Sequence, residues 1–305
     1  MASFCTMALL ALLFCNPVHC LDDAAFFVFG DSLFDAGNNN YINTTNDFSA
    51  NFPPYGESFF PPSGRFSNGR LIPDFIAEYA KLPLIPAYFR TKEGGVTKGV
   101  NFASAGAGSL AETYHGKMLG AKKSNKLLPD AVYMFSIGGN DYISPLMSNS
   151  SLFFSSYTEE EEYMDMVVGN FTTVIEEIYK EGGRKFVFVS LQALGCVPYA
   201  RALNIQQTKS GDCMEKLQDL AKMHNEALLK AINKLEKNLQ DFRGIPSCGG
   251  KRQVKEYELC QNVGDYLFFD YGHATEKANR LTAKLLWEGS TYVIGPYNVK
   301  SLFQL

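Results

Sequence analysis

The sequence predicts a doubly wound α/β domain, a parallel sheet with helices on both faces. Two observations carry this expectation. Four short apolar, β-branched or aromatic runs, Ala25 to Phe29, Val100 to Ala103, Val132 to Ile137 and Phe186 to Leu191, read as buried strands. Helical patterns alternate with them, and strand–helix–strand order favours parallel pairing.

The elements follow in chain order. The first run stops at Gly30-Asp31-Ser32 and gives way to Asp35-Ala-Gly-Asn-Asn-Asn40, a stretch of turn formers. After the third run, Thr158 and Glu161 have capping-box spacing, and Met166, Val167, Phe171, Val174, Ile175 and Ile178 recur at helical period. Gly182-Gly183 ends that helix. Its acidic run, Glu159 to Glu162, reads as a solvated first turn favoured by the helix dipole. A second long helix is expected over Met214 to Leu239, with Leu217, Leu220, Ala221, Leu228, Ile232 and Leu235 on one face. A third starts near Thr275 and runs through Leu281, Leu285 and Trp287.

Length and composition set the frame. The chain has 305 residues, 46% of them apolar, and no linker divides it, so one domain over residues 21–305 is expected. A formal charge of -4 and the lack of a basic face argue against nucleic acid as a partner. Residues 1–20 read as a signal peptide: an apolar stretch from Met7 to Phe14 precedes short side chains near Cys20. That stretch is too short to span a bilayer and no later one is longer, so the mature chain is expected to be soluble, without a transmembrane segment, and secreted to the extracellular space, the vacuole or another destination of the secretory pathway. Oligomeric state is left open.

Four cysteines, Cys196, Cys213, Cys248 and Cys260, remain after the signal, and four cysteines allow three pairings. Pairing of neighbours, Cys196 with Cys213 and Cys248 with Cys260, closes the shortest loops and is preferred. A zinc site fits less well, because no CxxC spacing is present and His273 is the one nearby imidazole. Asn43, Asn149 and Asn170 stand in Asn-x-Ser/Thr sequons and are expected to be glycosylated.

Chemistry concentrates where such a sheet gathers its loops, at the carboxyl ends of the strands. Ser32 follows the first strand, Gly106 the second and Asn140 the third, and Asp270 and His273 lie near the C-terminus. A serine nucleophile needs a base held by a carboxylate, and Asp270-Tyr-Gly-His273 lets one turn bring the two together. The backbone N–H groups of Ser32 and Gly106 and the side-chain amide of Asn140 are candidate oxyanion donors, with Gly108 the fallback for Gly106. Gly106, Gly108 and Ala111 also match a GxGxxA dinucleotide pattern, but no acidic residue closes a second strand some 20 residues on. No cofactor and no metal are expected. His224 falls on an apolar helix face and reads as a core histidine, and His115 as a loop residue. Asp31 reads as fixing its turn, while Arg65 and Asn68 have no assigned role.

At this point the chain resembles the plant GDSL-type esterases and lipases of the SGNH hydrolase superfamily. The resemblance rests on FVFGDSLFDAGNNNY (27–41), GRFSNGRLIPDFIAEY (64–79), GVNFASAGAG (99–108), SIGGNDY (136–142), LGCVP (194–198) and FFDYGHATEKANRL (268–281). It implies a flavodoxin-like sheet, Ser32 as nucleophile, Gly106 and Asn140 as oxyanion donors, His273 as base with Asp270 as its partner, and cofactor-free hydrolysis of a small-molecule or lipid ester. Acyl transfer on the same triad, or a non-catalytic binding protein on the same fold, are the competing expectations. The chain departs from the family pattern in short segments over 109–130 and 240–247, which leaves room for the sheet to lack one edge strand, and in Ala274 where a proline is usual.

Overall fold

The computed structural model describes residues 24–59, 61–91, 98–110, 113, 129–147, 157–238, 262–270, 272–290 and 297–305. Among these residues the sheet has three strands, β1 (Phe26–Gly30), β2 (Val132–Ser136) and β3 (Lys185–Phe188), in the order β1-β2-β3 and all parallel. Phe26 pairs with Val132 and Val132 with Lys185. The predicted strand at Val100 to Ala103 makes only isolated bridges, both through Asn101, to Val28 and to Ala87. Its backbone nonetheless runs alongside β1: Phe26 and Val28 donate to Lys98 and Val100, and Phe102 and Ser104 donate to Val28 and Gly30. With that segment counted, the edge-to-edge order is (98–104)-β1-β2-β3, the arrangement expected of a doubly wound sheet. A further edge strand was in question over 240–247, which lies outside the described residues.

Residues of both parities on the strands are buried, because helices cover both faces. Phe26, Val28, Val132, Met134 and Val187 pack against α1 (Ile72–Tyr79), α6 (Glu276–Glu288) and α7 (Val299–Gln304). Phe27, Tyr133, Phe135, Phe186 and Phe188 point the other way, toward α3 (Tyr157–Lys180) and α5 (Glu215–Asn238). That second face is a cross-strand ladder of rings. Phe29 stacks on Phe135 at 4.8 Å and Phe135 on Phe188 at 5.7 Å, and such pairs commonly contribute about 0.5–1.5 kcal/mol beyond their buried area.

The predicted helices form close to their expected bounds. The apolar stripe of α5 from Leu217 to Leu235 is buried throughout. Backbone bonds from Gly182 to Tyr179 and from Gly183 to Ile178 close α3. Thr275 caps α6 by accepting from the Ala278 N–H, whereas Leu281 and Leu285 on that helix face solvent. The acidic run at the start of α3 is solvated except for Glu160, which is buried and paired with Lys216 of α5. The side chain of Thr158, half of the expected capping box, lies outside the described residues. Helices α1, α2 (Gly139–Met147), α4 (Pro198–Thr208) and α7 were not anticipated, although α1 carries Ile72, Phe75, Ile76 and Tyr79 at helical spacing. No helix among the described residues is long and apolar enough to cross a membrane.

Cys196 and Cys213 are joined, as the shortest-loop pairing expects. Cys248 and Cys260 lie outside the described residues.

Arg65 also acquires a role here. Its Nε and Nη2 donate to both oxygens of Asp74, each at 2.8 Å, and its Nη1 reaches Ala36 O and Ser63 Oγ. The pair is almost wholly buried and ties the turn after β1 to the first turn of α1. Removing one partner of such a pair leaves an uncompensated charge in the interior. Arg65→Met is therefore expected to lower unfolding free energy by about 3–5 kcal/mol. The Arg65→Met/Asp74→Leu double variant should lose less. Urea denaturation of both proteins checks this.

Candidate active site

The end of β1 is the first component. Gly30 lies so close to β2 that a Cβ there would fall 2.4 Å from the Ser136 carbonyl oxygen, so no side chain fits. Immediately after it the chain turns. The Asp31 carboxylate accepts the Leu33 N–H at 2.9 Å, and the Asp31 carbonyl accepts those of Phe34 and Asp35. Asp31 thus fixes the turn, as expected, and Ser32 is presented at its apex, buried and at the carboxyl edge of the sheet.

His273 arrives from the far end of the chain. Its Nε2 lies 2.8 Å from Ser32 Oγ, and its Nδ1 lies 2.7 Å from Asp270 Oδ2. The turn that joins them is closed by the Phe269 N–H donating to the His273 carbonyl at 2.7 Å. Asp270 Oδ1 accepts two backbone N–H groups, of Gly272 and His273, both at 2.8 Å. Oδ2 takes a further bond at 2.9 Å from the phenol of Tyr55, a residue that sequence reasoning did not single out. Burial alone would raise the carboxyl's pKa; the neighbouring imidazole, its hydrogen bond and the two backbone donors outweigh it and hold the group below its ordinary value.

The segment 55–70 braces this corner. Ser67 Oγ donates to the Ala274 carbonyl and Asn68 Oδ1 accepts the Glu276 N–H, so Asn68 helps cap α6, the helix behind His273. Phe66 packs against the imidazole with ring centroids 4.8 Å apart. The Pro-to-Ala difference at 274 leaves that helix start intact, with Thr275 as its cap.

The stretch Asp35-Ala-Gly-Asn-Asn now explains itself. Asp35 accepts from Gly37 and Asn38 on one oxygen and from Ala105 on the other. Asn38 Nδ2 donates to the carbonyls of Asn101 and Ala103, and Asn39 Nδ2 to that of Ala105. Ser104 Oγ completes the set by donating to Asn39 Oδ1. These side chains clamp the loop that carries Gly106. Gly106 itself has φ +86°, and a Cβ there would strike the Phe48 ring at 2.7 Å. Among the described residues its N–H has no backbone acceptor, and neither has that of Ser32.

Asn140 stands in the first turn of α2, one step beyond the strand end where it was expected. Its Nδ2 donates to Ala107 O at 2.8 Å, which uses one of two amide protons and leaves the other for the site. Gly108 has a different task. A Cβ there would meet Thr113 and Asp141, and Asp141 accepts the N–H groups of Ser109 and Leu110 and the Thr113 hydroxyl. His224 is buried, with Nδ1 2.9 Å from the Tyr142 hydroxyl and burial lowering its pKa to about 4, so the ring is neutral near pH 7. His115 and Ala111 lie outside the described residues.

With this geometry in hand, the matches to known proteins are decisive. Residues 26–286 fit the family described as GDSL-like Lipase/Acylhydrolase. The chain belongs to that family. It is 44% identical over 344 aligned positions to GDSL esterase/lipase 2 of Arabidopsis thaliana, covering 93% of this chain and 90% of that one. Identity is 43% to GDSL esterase/lipase 5 of the same plant (92% and 88% covered) and 41% to the GDSL lipase of Tanacetum cinerariifolium (94% and 91%). The first alignment is longer than this 305-residue chain, so the relative holds stretches that this GDSL family member lacks.

The clamp has a pH signature. Burial pushes Asp35 up to about 6, against an ordinary 3.8, and its backbone donors hold it from going higher. Between those values the folded protein binds a proton that the unfolded chain does not. This group therefore adds stability as pH falls from 6 to 4, by up to about 1.4 kcal/mol per unit. Above pH 6 the native state bears the full cost of the buried charge. Asp35→Asn should flatten that slope. Urea melts at pH 4.5 and pH 7 for both proteins test it; an equal pH difference in the two would contradict the assignment.

Proposed function

We propose that this protein is a serine hydrolase of carboxylic esters that works through an acyl-enzyme on Ser32. One observation carries the reading: a buried, unbroken relay from Ser32 Oγ to His273 Nε2 at 2.8 Å and from His273 Nδ1 to Asp270 at 2.7 Å. With Asp270 ionised, the proton of the imidazole sits on Nδ1, and Nε2 is left to accept the serine proton. Ser32 Oγ attacks the ester carbonyl carbon as His273 takes that proton. The tetrahedral oxyanion is met by the N–H groups of Ser32 and Gly106 and by the Asn140 amide. Collapse breaks the bond to the alcohol, which leaves with the proton from His273. Water, deprotonated by the same imidazole, then releases the acid and restores Ser32. Names of the relatives, esterase and lipase, support ester hydrolysis as the reaction.

The same reading places the protein outside the cytosol. The apolar N-terminal stretch, the Cys196–Cys213 disulfide and the exposed sequon at Asn43 support secretion with removal of residues 1–20 and glycosylation. Asn170 is also exposed, on α3, and its amide donates to Ser109 O at 3.3 Å. Asn149 lies outside the described residues.

Ser32→Ala is expected to abolish ester hydrolysis and labelling by a fluorophosphonate probe, a fall of about 10⁶ in kcat, while the thermal melt stays unchanged. Asn140→Ala should lower kcat by about 10²–10³ with KM little altered. Retained turnover in the Ser32 variant would defeat the proposal. Tyr55→Phe removes one of four donors to Asp270 and should lower kcat by roughly 3- to 10-fold, an effect of order 1 kcal/mol. Steady-state kinetics on a nitrophenyl ester would show it as a change in kcat rather than KM.

A further inference from the structure

A half-open hollow lies against Ser32 and Asn140, and its place relative to the base decides what it receives. Leu33, Ile143 and Leu194 also line it, whereas His273, Asp270 and Gly106 do not. His273 Nε2 nevertheless lies 2.8 Å from Ser32 Oγ. The base and the hollow therefore flank the nucleophile on different sides.

The chemistry of acyl transfer then orients the ester. When the tetrahedral intermediate collapses, the bond from carbon to the alcohol oxygen breaks and that oxygen takes the proton held on His273 Nε2. The leaving oxygen must stand within about 2.6–3.2 Å of that nitrogen. The oxyanion is turned toward the N–H and amide donors. One substituent of the carbon remains, the acyl chain, and the hollow is on the side left to it.

The walls of the hollow are aliphatic and firmly held. Ile143 follows Asn140 by three residues on α2, so the helix that delivers the oxyanion amide also presents this wall. A Cβ on Gly139 would stand 3.7 and 3.8 Å from Leu191 and Leu194, which brings the loop after β3 against the same turn. The two amide atoms of Asn225 bond the N–H and the carbonyl of Leu191, at 2.8 and 2.7 Å, and Cys196, two residues past Leu194, is tied to Cys213. Ile143 and Leu194 are buried and Leu33 is half-buried. The charged residue that lines the hollow is Asp31, an acid, and no Lys or Arg lines it. An acyl group with a carboxylate of its own would lose water there without gaining a cation.

We propose that the acyl chain runs from Ser32 over Leu33, Ile143 and Leu194, away from His273, and that Leu33 and Ile143 determine acyl specificity. The substrates are esters of uncharged aliphatic acids, with the alcohol on the His273 side. The inference rests on the esterase reading above and names its substrate class. Because the hollow is open outward, it favours a longer chain over an acetyl group without setting an upper length.

The test measures kcat/KM for methyl acetate, methyl butanoate, monomethyl succinate and benzyl butanoate, by acid release at constant pH. Wild type, Leu33→Ala and Ile143→Ala are compared, with labelling by a fluorophosphonate probe run in parallel. Each value is divided by the ester's own rate with hydroxide, which removes intrinsic reactivity. A methylene taken out of water contributes about fourfold, so butanoate is expected to exceed acetate by about tenfold in wild type and by only about threefold in each variant. Monomethyl succinate, nearly the shape of the butanoate but charged, should fall about tenfold below it in wild type. The benzyl-to-methyl ratio of the butanoates should be unaltered in both variants, because the alcohol lies on the other side of Ser32. Leu33 is partly exposed, and its variant decides the matter if Ile143→Ala fails to label. Butanoate or succinate performing against expectation in wild type, an unchanged acyl ratio in a labelled variant, or a benzyl-to-methyl ratio that moves in its place overturns the inference and leaves the esterase reading standing. Failure of wild type to label and to hydrolyse any of the four esters sinks both.

Discussion

A carboxylate sealed from water has to be kept ionised, and much of the molecule is arranged around that requirement at Asp270. Burial by itself would protonate the group and deprive the imidazole of its orienting partner. Four donors oppose this: the N–H groups of Gly272 and His273, the His273 ring and the Tyr55 phenol. Two of them come from the tight turn itself, which is why a spacing of three residues suffices. The fourth is supplied from more than 200 positions away in sequence, so the polypeptide from 52 to 70 has to be laid across the C-terminal turn. Its backbone does so by pairing with itself, Gly56 to Ser67 and Ser58 to Asn68, and its aromatic side chains close the corner around the ring.

The opposite wall is built by a different device. A strand edge could have held the Gly106 loop, but a regular ladder cannot turn back toward Ser32. Side-chain amides and a carboxylate from residues 35–39 take over where the ladder along β1 stops at Ser104. These groups are short, so each bond fixes the loop within a narrow range. Asp35 binds the N–H of Ala105, while that of Gly106 takes no backbone acceptor among the described residues. The high pKa of Asp35 is the cost of this arrangement: the buried carboxyl still stands near pH 6, because desolvation outweighs its backbone donors.

What was legible beforehand follows from the range of each interaction. Strands β1, β2 and β3 and helices α3 and α5 announce themselves because their apolar periodicity is local, whereas α6 was placed from Leu281 and Leu285, which face solvent. The triad was legible because Asp270 and His273 are neighbours and Ser32 ends a strand, where this architecture concentrates chemistry. Tyr55 was not, since a tyrosine after Pro53-Pro54 carries no sign of a partner at position 270. The same holds for Arg65, whose guanidinium finds Asp74 only when α1 has formed. The segment at Val100 was read as a strand and does run beside β1, and on its outer side Asn101 bridges Ala87 through bonds to Pro86 and Tyr88 before the chain there turns away, so no regular strand extends the sheet among the described residues.

His224 shows how the polar centre is carried by an apolar one. The ring sits beneath Gly138, so close that a Cβ there would fall 2.8 Å from it, and Gly138 leads directly into Gly139 and Asn140. Burial lowers its pKa to about 4, so near neutral pH it is an uncharged aromatic plate bonded at one nitrogen to Tyr142. A charged imidazole in that position would draw counter-ions or water into the α2–α5 seam and loosen the loop that holds the Asn140 amide. Keeping one histidine neutral and idle, while another 49 residues later is poised between a carboxylate and a serine, is a matter of surroundings alone. The first is buried against Gly138 and Tyr142, and the second lies between the Asp270 carboxylate and the Ser32 hydroxyl.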